Sequence, residues 1–235
     1  MRRKRPKTRL FMLGISAGSG LVARFMGEQG HRRRLQGKWD GVECKDGDMD
    51  FISSFCDAAV GVCPGFDVER CMGNFGPPYS HGLLHLQKQF LLRHENHFGH
   101  KDSFTAAMGA TDLQGWLDNM WSVAHEDYGS AADYYDAHNP MRVTEYIHEP
   151  CLFINAEDDP LCVPLNIEQA RLHHGLLSKN MNAALAVTKT GSHCCFYELG
   201  TGLLHTSNWA ERASFEFFDA FISANDELKA PRRID

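Results

Sequence analysis

Apolar residues in this chain follow two periods. Four short, nearly continuous apolar runs, at residues 9–14 (RLFMLG), 58–63 (AAVGVC), 151–156 (CLFINA) and 184–190 (ALAVTKT), have the length expected of strands buried on both faces. Helical spacing separates them. Residues 16–28 place Leu21, Val22, Phe25 and Met26 on one stripe, residues 166–177 read as a helix, and residues 209–222 space Trp209, Ala213, Phe217 and Phe221 about one turn apart. Strands alternating with helices predict βαβ crossovers, and hence an α/β fold with a parallel sheet of about four strands. From residue 66 to about residue 139 the pattern is helical throughout, as at residues 82–93 and 113–123. This stretch, rich in aromatics and histidines, predicts a helical cap insertion within one domain spanning residues 1–235.

Composition narrows the function classes. The net charge of -6 argues against a dedicated nucleic-acid binder, although basic residues crowd into residues 1–9 (MRRKRPKTR) and Arg32, Arg33 and Arg34. The arm reads as a solvated terminus, the alternative being a contact to nucleic acid or anionic lipid. The apolar stretch at residues 10–12 is too short for a secretory leader, and no apolar run is long enough to cross a bilayer. An intracellular setting is therefore expected, in which membrane association would come only from sequence upstream. Eight cysteines, Cys44, Cys56, Cys63, Cys71, Cys151, Cys162, Cys194 and Cys195, include no Cys-x-x-Cys pair, so free thiols are expected.

The candidate chemistry begins at Gly14-Ile15-Ser16-Ala17-Gly18, a G-x-S-x-G sequence between a predicted strand and a predicted helix. A serine on so sharp a turn takes strained backbone angles, and small flanking residues relieve collisions with neighbouring backbone. The helix that follows aims its first amides at the serine, so the Ala17 N–H is a candidate oxyanion donor. Asp158 and Asp159 follow the third strand, and His193 follows the fourth, giving the chain order serine, acid, histidine. A serine hydroxyl needs a base to take its proton, which His193 can do, and the imidazole needs a carboxylate to fix its tautomer. Either aspartate can supply it.

These residues carry a resemblance. The elbow LGISAGSGLVARFMGE, Tyr134-Tyr135 before Asn139-Pro140, the string from Ile154 to Pro160, and Gly191-Ser192-His193 with Phe196 and Glu198 resemble AB hydrolase family 4. That family holds the YheT-like esterases and the medium-chain ester synthases, and the resemblance runs from about residue 10 to residue 222. It implies an α/β-hydrolase fold and hydrolysis of lipid-like carboxylic esters, small-molecule substrates of short to medium acyl length. In some members the acyl group passes to an alcohol. By the family pattern the first aspartate of the pair is the triad acid, which gives Ser16, Asp158 and His193, with Asp159 in reserve. No cofactor and no metal are implied.

An α/β-hydrolase sheet normally has eight strands, with the nucleophile after the fifth, so a nucleophile at Ser16 makes this chain the C-terminal part of that fold. The loop that donates a second oxyanion amide is then absent from it, and the first strand is expected to form an apolar edge. The alternative reading is a catalytically impaired relic serving as a binding module. Three further signals are set aside. His94, His97 and His100 do not form H-E-x-x-H, and a polar cap surface is expected there. Asp46, Asp48 and Asp50 imitate a calcium loop, but Phe51 and Asp57 occupy its glycine and glutamate positions. Trp116, Trp121, Leu117 and Met120 are expected to pack a helix against the sheet, the alternative being an acyl pocket.

Overall fold

A computed structural model describes residues 8–34, 38–39, 42–43, 56–66, 71, 75–125, 127–162, 164, 167–168, 182–199 and 206–229. The basic arm as far as residue 7, Cys44, the Asp46 to Asp50 loop and nearly all of the helix expected at residues 166–177 lie outside the described residues.

The sheet positions the site. Strands β1 (Phe11–Ile15), β2 (Ala58–Val62), β3 (Cys151–Ala156) and β4 (Ala183–Thr188) pair in chain order, each parallel to the next. Registers run Phe11 against Ala58, Ala59 against Cys151 and Cys151 against Ala183, so the C-terminal ends lie side by side. In open parallel sheets that rim is where ligands bind. Helix α1 (Ala17–Arg34) follows β1 after one residue, and α7 (Trp209–Lys229) is the last described helix.

Alternation within β2 builds a core on each face. Ala59 packs with Val22, Ala23 and Met26 of α1 and with Phe66 and Phe153, whereas Ala58, Val60 and Val62 face Ile154, Ala210 and Phe218. Every residue of β2 is buried, as a strand covered on both faces requires. Phe153 has no exposed surface and meets Phe66 edge-on at 5.7 Å. Phe153→Ala is expected to cost about 3–5 kcal/mol through lost burial and the cavity left behind. Urea unfolding followed by tryptophan fluorescence measures it.

β1 lies at an edge of the described sheet, as a nucleophile at Ser16 led us to expect, although its apolar run alone reads as buried. It pairs only with β2 among the described residues, and Leu13 and Ile15 are 40% and 56% exposed. Its start is held by Asp57, whose carboxylate accepts from the Leu10 N–H at 2.7 Å and meets Arg9 at 3.3 Å.

Between β2 and β3 lie helices α2 (Pro77–Leu92), α3 (Glu95–Phe98), α4 (Asp102–Gly109), α5 (Leu113–Ala124) and α6 (Ala131–His138). They share a separate apolar cluster in which Leu84, Phe104, Leu113, Trp116 and Leu117 are buried. Asp112 and Ser130 cap α5 and α6 by accepting from the N–H groups of Gly115 and Asp133. An antiparallel ribbon, β5 (Tyr197–Leu199) with β6 (Thr206–Asn208), was not expected from the pattern. Among the described residues no helix is long and apolar enough to cross a membrane.

Candidate active site

Ser16 sits on the single-residue turn between β1 and α1 at φ +53°, a left-handed conformation that is strained for a residue with a Cβ. Its N–H donates to the Val62 carbonyl at 2.9 Å, and its own carbonyl accepts the Ser19 N–H at 2.9 Å, so sheet and helix pin it from both sides. The glycines around it differ in purpose. A Cβ at Gly14 would run into the Gly18 carbonyl and the Val22 side chain, whereas one at Gly18 would meet open space. Only the first is required by packing.

The structure brings Ser16 and His193 together as expected and replaces Asp158 by its neighbour. Ser16 Oγ lies 2.7 Å from His193 Nε2, and His193 Nδ1 lies 2.9 and 3.1 Å from the two carboxylate oxygens of Asp159. Asp158 points the other way, exposed, and accepts the Ser192 N–H at 2.7 Å. The reason is local. A turn after β3 folds the Asp159 N–H toward the Ala156 carbonyl, and the carboxylate of Asp159 swings inward to accept from the Leu161 and Cys162 N–H groups at 2.8 and 2.9 Å. The Asp159 side chain is 0% exposed, so its charge depends on those partners.

Electrostatics follow from this geometry. Burial pushes the Asp159 carboxyl up, but hydrogen bonds from His193, Cys162 and Leu161 outweigh it and hold the group below the usual carboxylate range. An ionised carboxylate only accepts, so in the neutral ring Nδ1 carries the proton and Nε2 is free to accept from Ser16. Burial alone would push His193 down; the Asp159 carboxylate, helped by Cys194, raises it to about 10.

Ala17 opens α1, so its N–H is one of the first-turn amides without an intrahelical acceptor. It lines, with Ser16 and His193, a cavity of about 490 Å³, within the range of small-molecule sites. Its apolar lining includes Leu21, Phe75, Trp116, Leu117 and Met120. Trp116 and Leu117 line this cavity while packing within the cluster of α2 to α6, not against the sheet as expected. Trp121 does neither: its Nε1 donates to the Asp118 carbonyl on its own helix, away from the cavity.

Ligand-type side chains converge at places the sequence did not indicate. Cys63, His193 and Cys194 offer donor atoms within 4.8 Å of one another, as do Asp159, Cys162 and His193, whereas His94, His97 and His100 form no such group. All seven described cysteines are free thiols. A hydrogen bond from Cys63 holds the Cys194 thiol below its usual range against the effect of burial, and the same bond raises Cys63.

No protein-family model matches the chain. A monoacylglycerol lipase of Mus musculus, ABHD2, is 23% identical over 236 residues, covering 94% of this chain and 50% of its own. A monoacylglycerol lipase of Saccharomyces cerevisiae is 22% identical over 213 residues, covering 86% of this chain and 41% of its own. The chain spans about half the length of the curated relatives it matches. These relatives, together with a parallel sheet flanked by helices, support placing it among the α/β-hydrolases. A solved esterase of Pyrococcus furiosus superposes with a TM-score of 0.43 at 13% identity, over 94% of this chain and 57% of its own.

Proposed function

We propose that this chain carries the nucleophile, base and acid of a serine hydrolase acting on lipid-like carboxylic esters. The observation that supports it most is the continuous hydrogen-bonded path from Ser16 Oγ through His193 to the buried Asp159. Neutral His193 accepts the Ser16 proton as Oγ attacks the ester carbonyl, and the charge that develops on the carbonyl oxygen is met by the Ala17 N–H. When the C–O bond of the tetrahedral intermediate breaks, His193 returns the proton to the departing alcohol. Water then attacks the acyl-enzyme by the same route and releases the acid, restoring Ser16.

The apolar wall suits an acyl chain, and relatives named monoacylglycerol lipase make a monoacylglycerol a reasonable substrate class. Helices α2 to α6 serve as the cap over that chain. The resemblance to the YheT-like and ester-synthase branch adds a finer reading, in which an alcohol replaces water in the second step. A fluorophosphonate probe tests the whole: stoichiometric labelling of Ser16 in the folded protein is expected, with none in Ser16→Ala. Absence of labelling in the unaltered protein removes the reading and favours a binding module.

A further inference from the structure

Two thiols flank the base of the proposed triad and take no part in ester chemistry. Cys63 immediately follows β2, Cys194 follows His193, and both have left-handed backbones, at φ +52° and +65°. The turns they make bring residues 131 apart in sequence together, so that the Cys194 N–H donates to Cys63 Sγ at 3.3 Å. Cys63 is buried from bulk solvent yet contributes to the wall of the active-site cavity, which gives a small ion a route to it.

We propose that Cys63, Cys194 and His193 form a binding site for a thiophilic divalent cation, Zn²⁺ foremost, which closes the active site when filled. Two thiolates and an imidazole are the donor set that zinc prefers, and a three-ligand site leaves a fourth position for water or the Ser16 hydroxyl. The three donor atoms already lie within 4.8 Å of one another. Tetrahedral zinc, with bonds of about 2.3 Å to sulfur and about 2.0 Å to nitrogen, needs them roughly 3.5–3.8 Å apart, so the contraction required is at most about 1.3 Å. Binding releases the thiol protons. It also consumes a ring nitrogen of His193, whose two nitrogens are held by Ser16 and Asp159. Whichever nitrogen binds, one of those two hydrogen bonds is lost. The sequence pointed to no metal here, because a ligand set drawn from positions 63, 193 and 194 has no recognisable spacing.

Metal binding does not depend on the hydrolase reading; the inhibition does. Titration of the full chain with Co²⁺ under a thiol-free reductant is expected to give one equivalent with a thiolate charge-transfer band, displaced by Zn²⁺. Cys63→Ser and Cys194→Ser are each expected to lose the band and to weaken Zn²⁺ binding by more than about 100-fold, the upper range for loss of even an outer-shell partner. Cys195→Ser, outside the cluster, is expected to keep both. Ser16→Ala, which cannot turn over, is expected to bind Zn²⁺ as well as the unaltered chain does, so the site is measurable even if no esterase activity is found. In active protein, Zn²⁺ is expected to suppress fluorophosphonate labelling and a chelator to restore it. Melting curves without metal establish that the serine variants fold; Cys194→Ser, at a partly exposed position, serves if the buried Cys63→Ser does not. Absence of the charge-transfer band, or Zn²⁺ affinity unchanged in folded Cys194→Ser or His193→Ala, overturns the proposal.

Discussion

Asp159→Asn is expected to lower kcat for ester hydrolysis by about 10⁴-fold, while Asp158→Asn is expected to leave it within about tenfold. The first figure is the usual consequence of replacing a buried triad carboxylate by an amide, which holds the imidazole in the wrong tautomer and cannot stabilise its charged form. The second rests on what Asp158 touches. Its contact is the Ser192 N–H, the amide oxygen of asparagine still accepts that bond, and one such bond is worth ~0.5–1.5 kcal/mol. Steady-state kinetics on a soluble short-chain ester separate the two variants. Equal losses in both, or a larger loss in Asp158→Asn, would return the role to the residue that the family pattern favours.

The pH profile gives the second large effect. A base works only when neutral, and the Asp159 carboxylate keeps His193 protonated to about pH 10. Enzyme-catalysed kcat/KM is therefore expected to climb nearly tenfold per unit, roughly 100-fold between about pH 7 and 9, after subtraction of spontaneous hydrolysis. Asp159→Asn removes the charge that raises the ring, so the inflection is expected to move toward the ordinary histidine value of 6.5 even though the rate is low. Stability runs the other way. A histidine raised on folding stabilises the native state fully below its unfolded value and loses that contribution as pH rises through about 10, so the alkaline range that favours turnover weakens the fold. A flat profile, or an inflection unmoved in Asp159→Asn, removes this account.

The four sheet strands were legible because their apolar runs are dictated by burial: β3 matches residue for residue, and β2 and β4 to within two residues at either end. Ser16 and His193 were legible for a related reason, since Ser16 directly follows β1 and His193 lies in the turn just beyond the end of β4. The acid was not. Asp158 and Asp159 share one context, and only the direction of the turn after Ala156 decides which carboxylate enters the interior. Exposure of β1 at Leu13 and Ile15 was foreseeable only from where the strand sits in the sheet, since its own composition reads as interior. The cysteine pair at 63 and 194 could not be read at all, because nothing in the order of residues marks two turns on different crossovers as neighbours.

Ser16 and His193, 2.7 Å apart in space, are separated by 177 positions along the polymer. During synthesis the nucleophile waits for its partner while β2, β3 and β4 are translated. On the proposed reading a half-folded copy carries an inert hydroxyl that becomes reactive only once β4 is in place, which makes covalent capture of Ser16 a readout of tertiary assembly.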